Sequence, residues 1–187
     1  MRKTTLIAVS ALALAAACGQ QAQQQAEAPA ATETVAPAPA PIPAAPSAEE
    51  FVQKAANSDA FEIQAAQLAL THASNADVKA FARMMRTDHT ATTHELTSLA
   101  PTVNLAVPTP ALDSDQQAKL DALRNANGAA FDSLYVDQQV QAHQDAVSMF
   151  ENFANNSAQG PLQQWAQTTL PKLRQHLDRA QALKNAA

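Results

Sequence analysis

Apolar residues recur at intervals of three and four along most of the chain after residue 46. Such spacing places them on one face of an α-helix, and four long segments show it. One of these stripes comprises Val78, Phe81, Ala82, Met85, His89, Thr92, Leu96 and Leu99. His89 therefore occupies a position where a core leucine is expected. Each of the other three segments has one comparable polar interruption, at Glu62, His143 and His176.

Capping sequences and helix breakers predict where these segments begin and end. Ser47 and Glu50 form a capping box, and a second candidate box begins at Ser74. The predicted helices cover about 48–73, 75–100, 115–125, 129–154 and 161–183. The first two are separated by so short a turn that they must be antiparallel neighbours. We therefore predict an all-α fold, an up-down-up-down four-helix bundle with one short extra helix.

The composition agrees with a helical fold and argues against several classes of function. Only 3 of the 187 residues are glycine and 4% are aromatic, which is unlike a β-rich protein. The net charge of −5, without any basic cluster, gives no electrostatic basis for binding nucleic acid. A nucleophile elbow and a phosphate-binding glycine loop are both absent from the sequence, and no small-molecule substrate is indicated. The sequence does not decide whether the protein is an enzyme, and it favours a non-enzymatic role.

The N-terminal region has the features of an export signal. Arg2 and Lys3 precede a short apolar run that ends at Cys18, the only cysteine, which predicts a signal peptide over residues 1–17. The cleavage region resembles the lipobox of bacterial lipoproteins, with Ala15 where leucine is usual, so we predict that Cys18 is lipidated. Ordinary cleavage after Ala17, which would leave a free cysteine, is the alternative.

The predicted lipid anchor determines the expected location. Residues 18–46 comprise the modified cysteine and a Gln-, Ala- and Pro-rich tether that is predicted to be disordered, and residues 47–187 form the helical domain. The residue after Cys18 is not aspartate, which favours sorting to the outer membrane. The predicted location is therefore the cell envelope, on the periplasmic face of the outer membrane, or the periplasm if Cys18 is not lipidated. The sequence indicates no protein partner.

The four polar interruptions fall at similar depths in their helices. Glu62 and His89 lie 12 and 15 residues from Ser74, in the turn between the first two helices. His143 and His176 lie 17 and 16 residues from Gly160, where the last helix begins. At 1.5 Å per residue these mismatches amount to about 6 Å or less. The four side chains are therefore predicted to meet near the axis of the bundle.

Two interpretations of this polar set remain open. Three imidazoles and one carboxylate are a suitable ligand set for one transition metal ion, such as Zn, Fe, Mn or Cu. The candidates for outer carboxylates that orient these ligands are Asp88, Asp132 and Asp145. Alternatively, the set is a metal-free polar clasp that fixes how the helices pair. His94 lies on the other face of its helix and is predicted to be exposed.

Three separated segments, taken together, resemble an exported bacterial family known as domain-of-unknown-function family 4142. They are FARMM-x-x-DH at 81–89, GAAFDSLYV at 128–136 followed by His143, and LPKLRQHLDRAQAL at 170–183. The resemblance implies a ferritin-like four-helix bundle and an envelope location, and it implies no reaction. The positions that match the recurring polar residues of the family are Glu62, Asp88, His89, Asp132, His143 and His176. Ferritin-like di-iron sites use two Glu-x-x-His pairs, and this sequence contains none, so at most a mononuclear site is expected.

Overall fold

The computed structural model describes residues 46–106, 109–158 and 160–186, and within these ranges the regular structure is entirely helical. The elements are α1 (Ala48–His72), α2 (Ala76–Leu99), a 3₁₀ helix (Ala100–Val103), α3 (Ser114–Arg124), α4 (Gly128–Asn156) and α5 (Gly160–Ala186). The all-α fold, with four long helices and one short extra helix, is confirmed. The predicted signal peptide, Cys18 and the tether up to residue 45 lie outside the described residues. No described helix is long and apolar enough to cross a membrane.

The first two helices begin with different side-chain caps. The capping box at the start of α1 is present: the Ser47 hydroxyl accepts from the Glu50 amide at 3.2 Å, and the Glu50 carboxylate accepts from the Ser47 amide at 3.0 Å. At the start of α2 the cap is Asn75 rather than the expected Ser74. The Ser74 amide and hydroxyl instead donate to the carboxylate of Asp132 on α4.

The helix directions differ from the predicted alternation. The end of α1 lies beside the start of α4. This is shown by the hydrogen bond between the His72 ring and the Ala126 carbonyl, at 3.1 Å. The segment that contains α3 therefore carries the chain from the end of α2 back to the opposite end of the bundle. As a result α2 and α4 run in the same direction, and the order is up-down-down-up. This is a bundle with one long crossover connection, in which every adjacent pair of long helices is antiparallel.

The buried apolar residues form two clusters, one toward each end of the bundle. The Phe81 cluster lies at the α1–α2 turn and is built mainly of Phe61, Ala65, Ala69, Phe81, Met85, Leu120, Leu123, Phe131, Tyr135 and Leu183. The Phe51 cluster lies at the α4–α5 turn and is built mainly of Phe51, Ala55, Leu96, Phe150, Phe153, Leu162, Trp165, Ala166 and Leu173. Between them α1, α2, α4 and α5 each bury polar side chains, which form the middle layer of the bundle.

Candidate metal centre

Three histidines from three helices meet in this middle layer. His89 comes from α2, His143 from α4 and His176 from α5, and each is at most 3% exposed. Their ring centroids are 5.3–5.6 Å apart, and each pair of rings is tilted or edge-on. One nitrogen from each ring lies within 4.8 Å of the corresponding nitrogen of the other two. We call this set the histidine triad.

The remaining nitrogen of each ring has a hydrogen-bond partner. His89 Nδ1 donates to Asp59 Oδ1 at 2.8 Å, and His176 Nε2 donates to Asp88 Oδ2 at 2.9 Å. His143 Nδ1 donates to the backbone carbonyl of Gln139 at 2.9 Å. Because carboxylate and carbonyl oxygens only accept, these contacts place the proton of each neutral ring on the outer nitrogen.

The inner nitrogens of the triad have no hydrogen-bond partner. They are His89 Nε2, His143 Nε2 and His176 Nδ1, and all three are buried. In the neutral tautomers each of them carries a buried lone pair without a partner, which costs free energy unless a proton, a water or a metal ion pairs with it. A metal with bonds of about 2.1 Å to three such nitrogens holds them about 3.3–3.6 Å apart, so each ring would move inward by less than about 1 Å.

Electrostatics leave two rings of the triad neutral at ordinary pH. Burial and the repulsion of the other two histidines lower the pKa of His143 to about 3. Burial likewise lowers the pKa of His176 to about 4, although the hydrogen bond to Asp88 opposes it. Burial also lowers the pKa of His89, but Asp59 and the charge of Glu62 outweigh this effect and raise it. Metal binding therefore competes with a proton mainly at His89.

Glu62 lies in the same layer but outside the group of close ligand atoms. The group with mutually close ligand atoms contains the three histidines alone. Glu62 Oε2 accepts from Gln139 Nε2 at 2.6 Å, while Glu62 Oε1 is buried without a partner. Burial raises the pKa of the Glu62 carboxyl. The four residues predicted from the sequence thus lie in one layer. Of these four, only the three histidines bring their ligand atoms close enough to share a metal ion.

The outer carboxylates predicted from the sequence have different positions. Asp88 contacts the triad through His176, as expected of a residue that orients a ligand. Asp132, on α4, contacts the α1–α2 turn, where it accepts from the Ser74 amide. Asp145 is exposed and accepts from Gln141 at 3.0 Å. Neither contacts a triad histidine through a described hydrogen bond. His94 is exposed, as predicted.

Two residues of this layer were not anticipated, Asp59 and Gln139. Asp59 is 6% exposed, and its carboxylate accepts from His89 and from the hydroxyls of Thr92 and Thr93. Gln139 is fully buried and contacts both Glu62 and His143. A signal was available for each, because Asp59 lies one helical turn before Glu62 and Gln139 one turn before His143.

Fold and site together define a four-helix bundle protein with a buried three-histidine centre. The chain belongs to the family described as Domain of unknown function (DUF4142), which it matches over residues 30–183. This confirms the family indicated by the three sequence segments. A comparison with curated proteins gives no match.

Solved structures of a protein named CopM share this fold. CopM in the Cu(II)-bound form is 20% identical, with a TM-score of 0.64 over 74% of this chain and 95% of that chain. The Ag-bound form is 21% identical, with a TM-score of 0.61 over the same shares of the two chains. The apo form is 21% identical, with a TM-score of 0.61 over 74% of this chain and 96% of that chain. At these identities the similarity shows the fold.

Proposed function

We propose that this protein is an exported cell-envelope protein that binds one transition metal ion at the histidine triad. The observation that carries this proposal is the set of three buried, convergent ring nitrogens without a partner. Each opposite nitrogen has an acceptor that orients its ring, which is the usual arrangement around metal-bound histidines. A bound metal ion would accept the lone pairs of these three nitrogens.

The donor set favours a divalent ion of the copper or zinc type. Imidazole nitrogens suit both metals, and the group of ligand atoms contains no thiolate, which would favour softer ions. Asp59 and Asp88 on the outer nitrogens increase the basicity of two ligands and balance the charge of the ion. CopM, with the same fold, has been solved in Cu(II)-, Cu(I)- and Ag-bound forms. Cu(II) is therefore the first ion to test and Zn(II) the second.

The role proposed for the site is to bind and hold the ion. The triad histidines are at most 3% exposed, which suits retention of an ion better than access by a larger substrate. The proposed location rests on the sequence of residues 1–18, with lipidation of Cys18 as the membrane anchor. An acyl modification at Cys18, detected by mass spectrometry of protein from membranes, tests that part. An unmodified Cys18 would leave the protein free in the periplasm.

The test of metal binding uses the full mature chain without a histidine tag. The protein is stripped with chelator and incubated with Cu(II) or Zn(II), and bound metal is counted by mass spectrometry after desalting. We expect one ion per chain in the wild type and in His94→Ala, and a loss of affinity of at least 100-fold in His143→Ala. For Cu(II), electron paramagnetic resonance should show hyperfine coupling to nitrogen. Equal binding by the wild type and His143→Ala would contradict the proposal.

A metal-free polar clasp is the second candidate, and one observation favours it. Asp59 accepts hydrogen bonds from His89, Thr92 and Thr93, so it joins α1 to α2 without any metal. A clasp of this kind predicts that chelator leaves the melting temperature unchanged and that added Cu(II) or Zn(II) does not raise it. A melting temperature that rises with metal in the wild type, and not in His143→Ala, excludes the clasp as the sole role.

A further inference from the structure

The burial of the triad raises the question of how an ion reaches it. Each of the three rings depends on an outer partner, and these partners differ in exposure. The Asp59 side chain is 8% exposed and Gln139 is fully buried, whereas the Asp88 side chain is 24% exposed. Asp88 is therefore the partner through which the triad comes closest to solvent.

Asp88 spans the seam between α2 and α5 with its two oxygens. Oδ2 accepts from His176 Nε2 at 2.9 Å, on the side of the triad. Oδ1 pairs with Lys172 Nζ at 3.4 Å, on the side of solvent, and the Lys172 side chain is 43% exposed. The two contacts use different oxygens, so the outer oxygen can change its partner while the inner one still orients His176.

Two of the other three seams between long helices, α1–α2 and α1–α4, are held by polar contacts between buried side chains. Between α1 and α2, Asp59 accepts from His89 and Thr92, and both of these residues are buried. Between α1 and α4, Glu62 accepts from Gln139 at 2.6 Å, and both side chains are buried. Opening either seam would expose a buried carboxylate and break its hydrogen bonds, which is more costly than moving a half-exposed lysine.

We propose that the metal ion enters between α2 and α5, where the Asp88 carboxylate receives it, and that Lys172 restrains this route. The inference rests on the proposed metal binding at the triad. A carboxylate oxygen at the surface attracts a cation and can bind it before the imidazoles do. The Lys172 ammonium occupies that oxygen and must leave first. Lys172 thus slows both the arrival and the release of the ion, and it has little effect on the affinity.

The experiment measures the rates of metal binding by stopped flow, with Cu(II) as the probe and the full mature chain. We expect Lys172→Gln to increase the association and dissociation rates together, by about threefold to tenfold, with less than a threefold change in Kd. Lys184→Gln is the matched control, since it removes the same charge from the same helix and Lys184 pairs with Asp137 instead. The control should bind at the wild-type rate.

A second variant tests whether Lys172 acts through Asp88. Asp88→Asn should slow association, and Lys172→Gln should have no further effect in that background, as a double-mutant cycle requires of residues that act through each other. Equal association rates for Lys172→Gln and Lys184→Gln would overturn the access route while equilibrium binding remained intact. A wild type that retains no ion at equilibrium would overturn the metal-binding proposal itself, and this inference with it.

Discussion

The middle layer of the bundle and the Phe51 cluster beside it are packed by different rules. In the cluster, Phe51 and Phe153 stack nearly parallel with ring centroids 3.9 Å apart, and Phe150 and Trp165 pack against Phe51 edge-on. Their apolar atoms need no partner other than one another. In the layer the three histidine rings are also close, with centroids 5.3–5.6 Å apart, but their contacts are between polar rings. The cluster is thus satisfied by apolar packing alone, whereas the layer leaves three buried ring nitrogens without a hydrogen-bond partner.

The first prediction concerns a substitution in the Phe51 cluster. Phe51→Ala removes a fully buried ring and leaves a cavity, so we expect a loss of about 3–5 kcal/mol in the free energy of unfolding. Urea denaturation followed by circular dichroism measures it. The folded fraction should still bind one metal ion with wild-type affinity. If metal binding were lost as well, the cluster and the layer would not be separate units.

The second prediction concerns the removal of one imidazole from the layer. Without metal, we expect the stability of His143→Leu to be within about 1 kcal/mol of the wild type or higher, because a leucine removes an unpartnered nitrogen. With metal at 100 times its Kd, the wild type should gain about 2.7 kcal/mol, and the variant should gain nothing. Denaturation curves with and without Cu(II) measure both values, with His94→Ala as the control. An equal gain in the variant would show that the ion binds elsewhere.

The third prediction concerns a lower pH for the metal-free protein. His143 and His176 have folded pKa values of about 3 and about 4, both below the unfolded value of 6.5. The unfolded chain therefore binds two more protons below pH 6.5, and stability falls with the pH. Burial raises the pKa of Glu62 and opposes this trend, because its folded carboxyl takes up a proton at a higher pH than the unfolded one. His89, with a raised pKa, is protonated in both states below pH 6.5 and adds no slope there.

The two histidines alone correspond to a loss of roughly 4 kcal/mol between pH 6.5 and pH 4.5, and proton uptake by Glu62 makes the observed loss smaller. Denaturation curves at several pH values measure it. Bound metal should delay the loss, because the ion holds the imidazoles in their unprotonated form. In His143→Leu the loss should be smaller than in the wild type by roughly 2 kcal/mol, since one of the two histidine contributions is gone. A slope in this variant equal to that of the wild type would assign the pH dependence to other groups.

The sequence predicts the helices and the layer well because both depend on local periodicity. A stripe with 3.6-residue spacing is visible in one dimension, and so is a polar interruption such as His89 within it. The error in the predicted direction of α4 does not change the depth predicted for the polar residues, because the polar residue of each long helix lies near the middle of that helix. His143 is 15 residues after Gly128 and His89 is 15 after Ser74, and these two starting points lie at the same end of the bundle.

The missed features depend on information that periodicity does not contain. Its spacing from Glu62 places Asp59 near the same face of α1, but spacing does not give its partner, which is His89 on α2. The direction of α4 is set by the crossover segment between α2 and α4. The prolines of this segment interrupt the helical periodicity, so the sequence does not show where the segment leads. The tautomers of His89 and His176 follow from tertiary partners, Asp59 and Asp88, so the nitrogens left without a partner could not be read from spacing.

The smallest expected effect concerns Asp132, which the sequence grouped with the metal site and which the structure shows at the α1–α2 turn. Its carboxylate accepts from the amides of Ser74 and Asn75 at 3.1 and 3.0 Å, and from the Ser74 hydroxyl. Asp132→Ala leaves these donors to water at a partly exposed turn, so we expect a loss of about 1–2 kcal/mol with unchanged metal affinity. Asp145→Ala, at an exposed position, should change stability by less than about 0.5 kcal/mol. A tenfold weaker Kd for metal in Asp132→Ala, without a loss of stability, would restore the role that the sequence suggested.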